Sequence, residues 1–353
     1  MQESRVLENR LQVYRLRQGW SQDELARRAG VSRAGVSAIE TNRLVPSAAA
    51  ALSLAMALGC RVEDLFSLGD DTTAGGGWAW PPALQPCRFW HAEVAGRTLR
   101  YPVEGNGLGV IEHDGFYRDG LFVENGRVDP RDTLVMACCD PAVGLLVAQM
   151  AKSKGIRLLV LIRSSRQALT LVSQNLVHVA GVHLARAEQA GGNAAVAKAI
   201  LGEAFSCLRV VRWQEGVTVA PGVSVGSIRD ALAANLRWVG REPGSGARQC
   251  LDELLEHHRP PRRIARDHRG VAEAVRCGWA QAGVCLRLVS EEAGLQFLSV
   301  RDEAYDLCYP SRYQDDPRLR ALVDVVRSPS YRGLLGDLPG YDCARTGDME
   351  QVR

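Results

Sequence analysis

The sequence predicts a multi-domain protein, with an all-α module at the N-terminus and a larger α/β region behind it. Three observations predict it. Residues 1–69 carry helix-start and helix-stop signals at short intervals and no alternating strand pattern. Residues 70–86, DDTTAGGGWAWPPALQP, concentrate Gly and Pro and read as a linker. From residue 131 onward, short apolar runs alternate with helical segments, the pattern of parallel strands covered on both faces.

Composition narrows the function classes. The 353 residues are 46% hydrophobic and 24% charged, enough for two or three domains that each bury a core. The 43 basic and 40 acidic residues leave a net charge of +3, which excludes a polycation wrapping nucleic acid by bulk charge. Any DNA contact has to come from a local basic face, and arginine has to supply it, because Lys152, Lys154 and Lys198 are the only lysines. The opening MQESRVLENR has no apolar signal stretch, and no window reaches about 18 uninterrupted apolar residues, so the expectation is a cytoplasmic protein without a membrane span. The ten cysteines are scattered singly except for Cys138-Cys139, and no C-x-x-C occurs. Reduced, mostly buried thiols and no metal centre are therefore expected.

Within the first module, LENRLQVYRLRQGW forms the first helix. Ser21 caps the second, and Glu24 three residues on predicts a capping box. Gly30 in AGVS supplies the left-handed turn, and Ser32 caps the third helix, RAGVSAIET. Val36 and Ile39 of that helix point inward, while Arg33, Ala34, Gly35 and Ser37 point out. Asn42 ends it, Pro46-Ser47 starts a fourth helix, AAAALSLAMALG, and Val62-Glu63-Asp64-Leu65-Phe66 ends the module.

These segments, and SQDELARRAGVSRAGVSAIE above all, resemble the helix-turn-helix domain of the lambda-repressor/Cro family over residues 5–68. The resemblance implies a homodimer that lays its third helix in the major groove of an operator. Arg33 is then the base reader, its fork matching guanine, and Ser32 and Ser37 contact bases or phosphates. Gln22 and Arg43 fall in phosphate reach. Gly35 stands where the family often has a longer polar side chain, which weakens or shifts readout there. Thr41-Asn42 replaces the usual Asn-Gly, a change that Asn tolerates in left-handed geometry.

Residues 87–130 read as a short β-rich segment in which CRFWHAEV and RTLRYPVE flank a hairpin turn at Ala95-Gly96. Two indoles in the preceding linker, Trp78 and Trp80, are expected to dock on a neighbouring surface. Beyond 131, TLVMACC, IRLLVLIRSS, HVAGVHL, CLRVVRWQEGVTVA, LRWVGREPG, AGVCLRL and FLSV read as strands. Helical stretches follow several of them, and DPRLRALVDVVRS closes the chain.

This order, with CCDPAVGLL, REPGSGARQCLDELL and EAYDLCYP, resembles the type II periplasmic-binding-protein fold, and most closely the molybdate-binding-like domains fused behind helix-turn-helix modules. The resemblance implies two α/β lobes joined by crossing strands, lobe 1 over about 131–215 plus 310–353 and lobe 2 over about 216–309. It also implies a ligand held between them at strand ends and helix starts. Three junctions qualify. Ser164-Ser165 offers two hydroxyls at a helix start. Gly244-Ser245-Gly246-Ala247-Arg248 joins a glycine-rich turn to a hydroxyl and an arginine, a standard anion device. Cys139-Asp140-Pro141 places a carboxylate at the third. If Asp140 faces the cleft it repels an oxyanion and prefers a small molecule with an amine or hydroxyl, and if it only caps its helix, molybdate, tungstate or another small anion stands as effector. His268 either faces the cleft or lies on the surface.

Other motifs carry less. Gly105-Asn106-Gly107-Leu108-Gly109 reads as a turn, since no helix follows it. His91-Ala92-Glu93 lacks the P-C-x-x-C of a zinc deaminase, and His257-His258 lacks ligand spacing. The expected function is a ligand-responsive DNA-binding regulator and not an enzyme. An α/β enzyme, for which Cys139, Asp140 and His268 are the available groups, is the alternative, with a purely structural dimerisation body as a third reading.

Overall fold

The computed structural model describes residues 7–9, 11–41, 43–68, 77–105, 111–189, 191–202, 204–255 and 261–352. Asn42, the first part of the linker, most of the 105–109 turn and His257-His258 lie outside them. The chain forms two compact units, Met1–Gly75 and Gly76–Arg353.

The first unit comprises α1 (Leu11–Arg17), α2 (Gln22–Ala29), α3 (Arg33–Glu40), α4 (Ala48–Leu58) and α5 (Val62–Leu65). Contrary to the all-helical expectation, β1 (Leu7–Asn9) and β2 (Phe66–Leu68) pair antiparallel and bring the two ends of the module together. Ser21, Ser32 and Ser47 cap α2, α3 and α4, and Gly30 takes φ 68° behind α2. Only half of the expected capping box forms. Ser21 Oγ accepts from Glu24 N–H, but the Glu24 carboxylate turns to Arg27 and Arg28. Leu11, Leu25, Val36, Ile39, Leu54, Leu58 and Leu65 fill the core.

The second unit opens with an antiparallel sheet in the order β4-β3-β5-β6, made of β3 (Cys87–Val94), β4 (Arg97–Pro102), β5 (Gly115–Arg118) and β6 (Leu121–Glu124). Ala95 and Gly96 turn the first hairpin with positive φ, as expected, and Asp119-Gly120 turns the second. Trp78 packs edge-on to Tyr117 and Phe89, and Trp80 packs on Tyr101, so the linker tryptophans dock on this sheet. Its other face joins the core of the α/β body. Trp90, Val94, Leu99 and Tyr101 share one cluster with Val135, Leu159 and Leu161 of the α/β body.

That body runs β7 (Thr133–Cys138), α6 (Val143–Lys154), β8 (Arg157–Ile162), α7 (Ser165–Ser173), β9 (Val179–Val182), α8 (Gly192–Leu201) and β10 (Phe205–Val219). It continues with α9 (Ile228–Ala233), β11 (Trp238–Arg241), α10 (Gly246–Leu254), β12 (Arg263–Ala265), α11 (His268–Arg276), β13 (Ala282–Leu286), α12 (Arg287–Glu292) and β14 (Gln296–Pro310). After DPRLRALVDVVRS, which forms α13 (Pro317–Arg327), come α14 (Pro329–Gly336), β15 (Tyr341–Asp342) and β16 (Met349–Val352), so that helix does not close the chain. The sheet order is β12-β11-β13-β10-β14-β9-β7-β8, with β15 and β16 also on β10. β7 is buried on both faces: Leu134, Met136 and Cys138 enter one core while Val135 and Ala137 enter the other.

β10 and β14 are 15 residues each, pair antiparallel along their length and run through both lobes. FLSV and EAYDLCYP are thus parts of one strand. The pairing shifts register between Glu215 and Gly216, and a Cβ on Gly216 would meet the Leu298 carbonyl at 2.2 Å. Beyond that irregularity Asp306–Cys308 of β14 pair with β9 of the first lobe. The return crossing therefore lies near residues 299–302, not at 310 as apolar runs suggest. Among the described residues no helix is long and apolar enough to cross a membrane.

Candidate functional site

In the parallel halves of the sheet the strands end where the next helices begin, so loop residues and helix N-termini gather along one seam between the lobes. His183, the residue after β9, is its hub. It is fully buried. Its Nε2 lies 3.0 Å from Cys139 Sγ, just beyond β7. Its Nδ1 lies 2.8 Å from Glu303 Oε2 on the crossing strand. A carboxylate only accepts, so Nδ1 carries the hydrogen. The His183 backbone N–H donates to Ser165 Oγ at 3.1 Å. From the other lobe, a Cβ on Gly246 would lie 2.3 Å from the His183 carbonyl oxygen, and the His268 ring centroid is 5.4 Å from that of His183. The lobes are closed on each other here. Arg166 N–H also donates to Gly244 O, and Arg269 donates to Pro141 O.

The expected residues divide into two groups. Asp140, Ser164, Ser165, Gly246 and His268 converge on this buried cluster. Asp140 resolves as a cap: its Oδ1 accepts from Ala142 N–H at 2.8 Å and from Tyr341 Oη at 3.1 Å. Burial pushes its carboxyl up to about 6 against those bonds. His268 is not on the surface. It is fully buried at the start of α11, and neither ring nitrogen has a hydrogen-bond partner. Burial, with Arg241 and His183 nearby, holds it well below the ordinary imidazole value and so neutral. Ser164 is likewise buried, where it caps α7 in a capping box with Gln167.

Ser245 and Arg248 are the second group, and their hydrogen bonds are made within the loop. Ser245 Oγ donates to Glu242 O at 3.0 Å and accepts from Arg248 N–H at 3.2 Å. The Arg248 guanidinium is held by Asp252 at 2.8 Å. With Gly244 and Arg166 they line an open groove of about 530 Å³ at the rim of the seam.

Sequence reasoning missed His183, Arg241, Glu215 and Glu303 altogether. Arg241 ends β11 fully buried, with Nε and Nη2 on the Glu242 carboxylate and Nη1 without a partner. Glu215 and Glu303 share Arg301, whose Nη2 lies 3.1 and 2.6 Å from them. Burial and Glu303 push Glu215 well above the carboxylate range. Burial acts upward on Glu303 too, but its bond to His183 and the charges of His183 and Arg301 outweigh it, and Glu303 is lowered. Burial opposes protonation of His183, yet Cys139 and Glu303 raise it well above its ordinary value. A signal existed for two of these residues. His183 directly follows an apolar strand, and Arg241 is the last residue of one.

In the first unit, Ser32, Arg33 and Ala34 are exposed at the start of α3, and Arg33 Nε makes an exposed contact of 3.3 Å with Asp23. Ser37 is half-buried on the same helix, and the Gly35 N–H is taken by Ser32 Oγ. Arg43 is exposed and donates to Thr41 Oγ1. Gln22 has an internal role that the sequence did not suggest. Its Nε2 donates to Glu40 Oε2 at 2.8 Å, beside the buried Arg15–Glu40 pair at 2.6 Å.

Comparison with known proteins gives two family matches, a helix-turn-helix domain over residues 11–65 and a PBP superfamily domain over residues 147–327. YvgK of Bacillus subtilis is 28% identical over 237 residues, 64% of this chain and 76% of that protein. The HTH-type transcriptional regulator MJ0272 of Methanocaldococcus jannaschii is 37% identical over 65 residues, 18% of this chain and 98% of that protein. Among solved structures, PhnD1 of Prochlorococcus marinus in complex with methylphosphonate aligns at TM-score 0.44 and 13% identity, over 61% of this chain and 93% of its own.

Proposed function

The chain belongs to the PBP superfamily domain family and carries a helix-turn-helix domain ahead of that match, and from this premise we propose a sequence-specific DNA-binding regulator whose effector, a small anion, binds in the cluster around His183. One observation carries the placement: Arg241 Nη1 is buried at the seam without a partner among the described residues. A buried polar group left unpaired costs about 1–3 kcal/mol, so a ligand that satisfies Arg241 Nη1 gains by that pairing. Ser164 caps α7, and Arg241 ends the strand whose loop leads into α10, so two helix N-termini, which favour negative charge, open on this seam. Asp140, engaged as a cap, does not present a free carboxylate against such a ligand. Molybdate, tungstate, sulfate and phosphate are the first candidates.

DNA recognition falls to Ser32, Arg33 and Ser37, with Arg43 on phosphate. A homodimer would read two half-sites roughly 34 Å apart. Exposed Leu52 and Met56, one turn apart on α4, supply apolar surface for pairing. Calorimetric titration of the four anions tests the effector site. Wild type is expected to bind at least one, and Ser164→Ala with Arg241→Ala to lose it. A folded double variant with full affinity would reject the placement.

One observation favours a second reading. Cys139, His183 and Glu303 stand in nucleophile, base and orienter order at 3.0 and 2.8 Å. A covalent adduct on Cys139 formed by an activated acyl ester, absent in His183→Ala, would support an enzyme instead.

A further inference from the structure

We propose that Cys139, His183 and His268 form a binding site for a soft transition-metal ion of the zinc class. Their donor atoms lie within 4.8 Å of one another and all three residues are buried. One thiolate and two imidazoles are the donor set that such ions select over calcium or magnesium.

Two independent features point to a ligand. Glu303 receives the His183 Nδ1 hydrogen at 2.8 Å, which points Nε2 at the Cys139 sulfur across a single shared hydrogen. A carboxylate behind a histidine in this way is the usual outer support of a metal-bound imidazole, fixing its tautomer and ring orientation. The second feature is His268, fully buried with both ring nitrogens unpartnered. No described residue uses those nitrogens, and a metal would take one of them.

With donor atoms spread over up to 4.8 Å, a tetrahedral ion has to draw His268 inward. Bonds of about 2.3 Å to sulfur and 2.0–2.1 Å to nitrogen place donor atoms roughly 3.3–3.6 Å apart. The Cys139–His183 contact of 3.0 Å has to open by about half an ångström to reach that spacing. The neighbouring triplet of His183, Glu215 and Glu303 also brings donors together. It is the poorer seat, because Arg301 Nη2 already lies 2.6 Å from Glu303 and 3.1 Å from Glu215. Arg241 brings a positive charge near His268, and its bond to the Glu242 carboxylate offsets that charge.

On binding, the one hydrogen held between Cys139 Sγ and His183 Nε2 leaves to solvent as a proton, and metal–sulfur and metal–nitrogen bonds form in its place. No electron is transferred. Cys139 and His183 belong to the first lobe and His268 to the second, so the ion ties the lobes together. This inference does not require that an anion be the effector, and its test involves neither DNA nor an anion.

The test is titration of the reduced, chelator-treated full chain with Co²⁺, read by absorption. Wild type should take up one ion with a thiolate-to-cobalt charge-transfer band and the visible bands of a tetrahedral site, all lost on adding Zn²⁺. Cys139→Ser should lose the charge-transfer band. His268→Ala should weaken binding further than Glu303→Gln, for which about 10–100-fold is expected. Cys285→Ser, a buried cysteine of β13 outside the cluster, should bind as wild type. A thiolate band that persists in Cys139→Ser, or is missing from wild type, overturns the proposal. Should Cys139→Ser fail to fold, X-ray absorption of the zinc-loaded wild type decides. One sulfur and two nitrogens support the site, and a shell without sulfur overturns it.

Discussion

Gly246→Ala should hold the two lobes apart. A Cβ at that position falls 2.3 Å from the His183 carbonyl oxygen and 2.6 Å from His183 Nδ1. That is about 1 Å inside ordinary van der Waals contact, against backbone on one side and a ring fixed by Glu303 on the other. Overpacking of this kind costs about 1–3 kcal/mol. Separation of the lobes relieves it, so the closed-to-open ratio should fall roughly 5- to 150-fold, and affinity for a ligand of the closed form should fall by up to that factor. Small-angle X-ray scattering would show the radius of gyration rising above wild type, and Gly226→Ala, whose Cβ meets nothing nearer than 3.8 Å, serves as the control. Position 246 is the first residue of α10, where Ala is intrinsically the better helix former by about 0.8–1.0 kcal/mol. If local propensity alone mattered, the variant would be more stable than wild type with an unchanged radius. That result would refute the steric argument.

Arg33→Ala should weaken operator binding by about 1–3 kcal/mol and relax preference at one base position, measured by competition among duplexes. Its melting temperature should not move, because the contact with Asp23 is exposed on both sides. Glu40→Ala leaves Arg15 buried without its partner and should cost about 3–5 kcal/mol in urea unfolding of the first unit, while a loss under 1 kcal/mol would contradict the pairing. His178, buried between Val135 N–H and Glu93 O, is pulled down to about 3 by burial, with Arg318 adding to it. A lowered histidine contributes stability that is present above its unfolded value near 6.5 and is lost as pH falls toward 3. Wild type should therefore lose about 2 kcal/mol between pH 6.5 and 5, and His178→Gln should lose less, with equal slopes in the two proteins as the contrary result.

The first unit was largely legible because its signals are local. Ser21, Ser32, Ser47 and Gly30 set helix ends within a few residues of themselves, and these positions act as expected. What escaped there depends on distance along the chain: the β1–β2 pairing joins residues 7–9 to 66–68, and Gln22 meets Glu40 across the fold. In the second unit the alternation of apolar runs gave the α/β body, but one long strand was read as two, because Arg301 and its polar neighbours interrupt the apolar text where β14 passes the seam. The same logic hid the site. Ser164, Ser165 and Gly246 could be found from helix-start chemistry. His183, Glu303 and Glu215 lie far apart in sequence and meet only because the crossing strands carry two of them past the end of β9.

Occupancy of the cluster around His183 is expected to change DNA affinity. Fluorescence anisotropy tests it most directly, with a duplex selected from a random pool and with molybdate, tungstate, sulfate and phosphate each added to wild type and to Arg241→Ala. A coupling of about 1–3 kcal/mol predicts a change in operator Kd of roughly 5- to 150-fold for wild type with at least one of these anions. Arg241→Ala should show no change, with its ligand-free Kd equal to that of wild type. A full response in Arg241→Ala would contradict the account, and a wild type indifferent to all four anions would contradict its choice of effector.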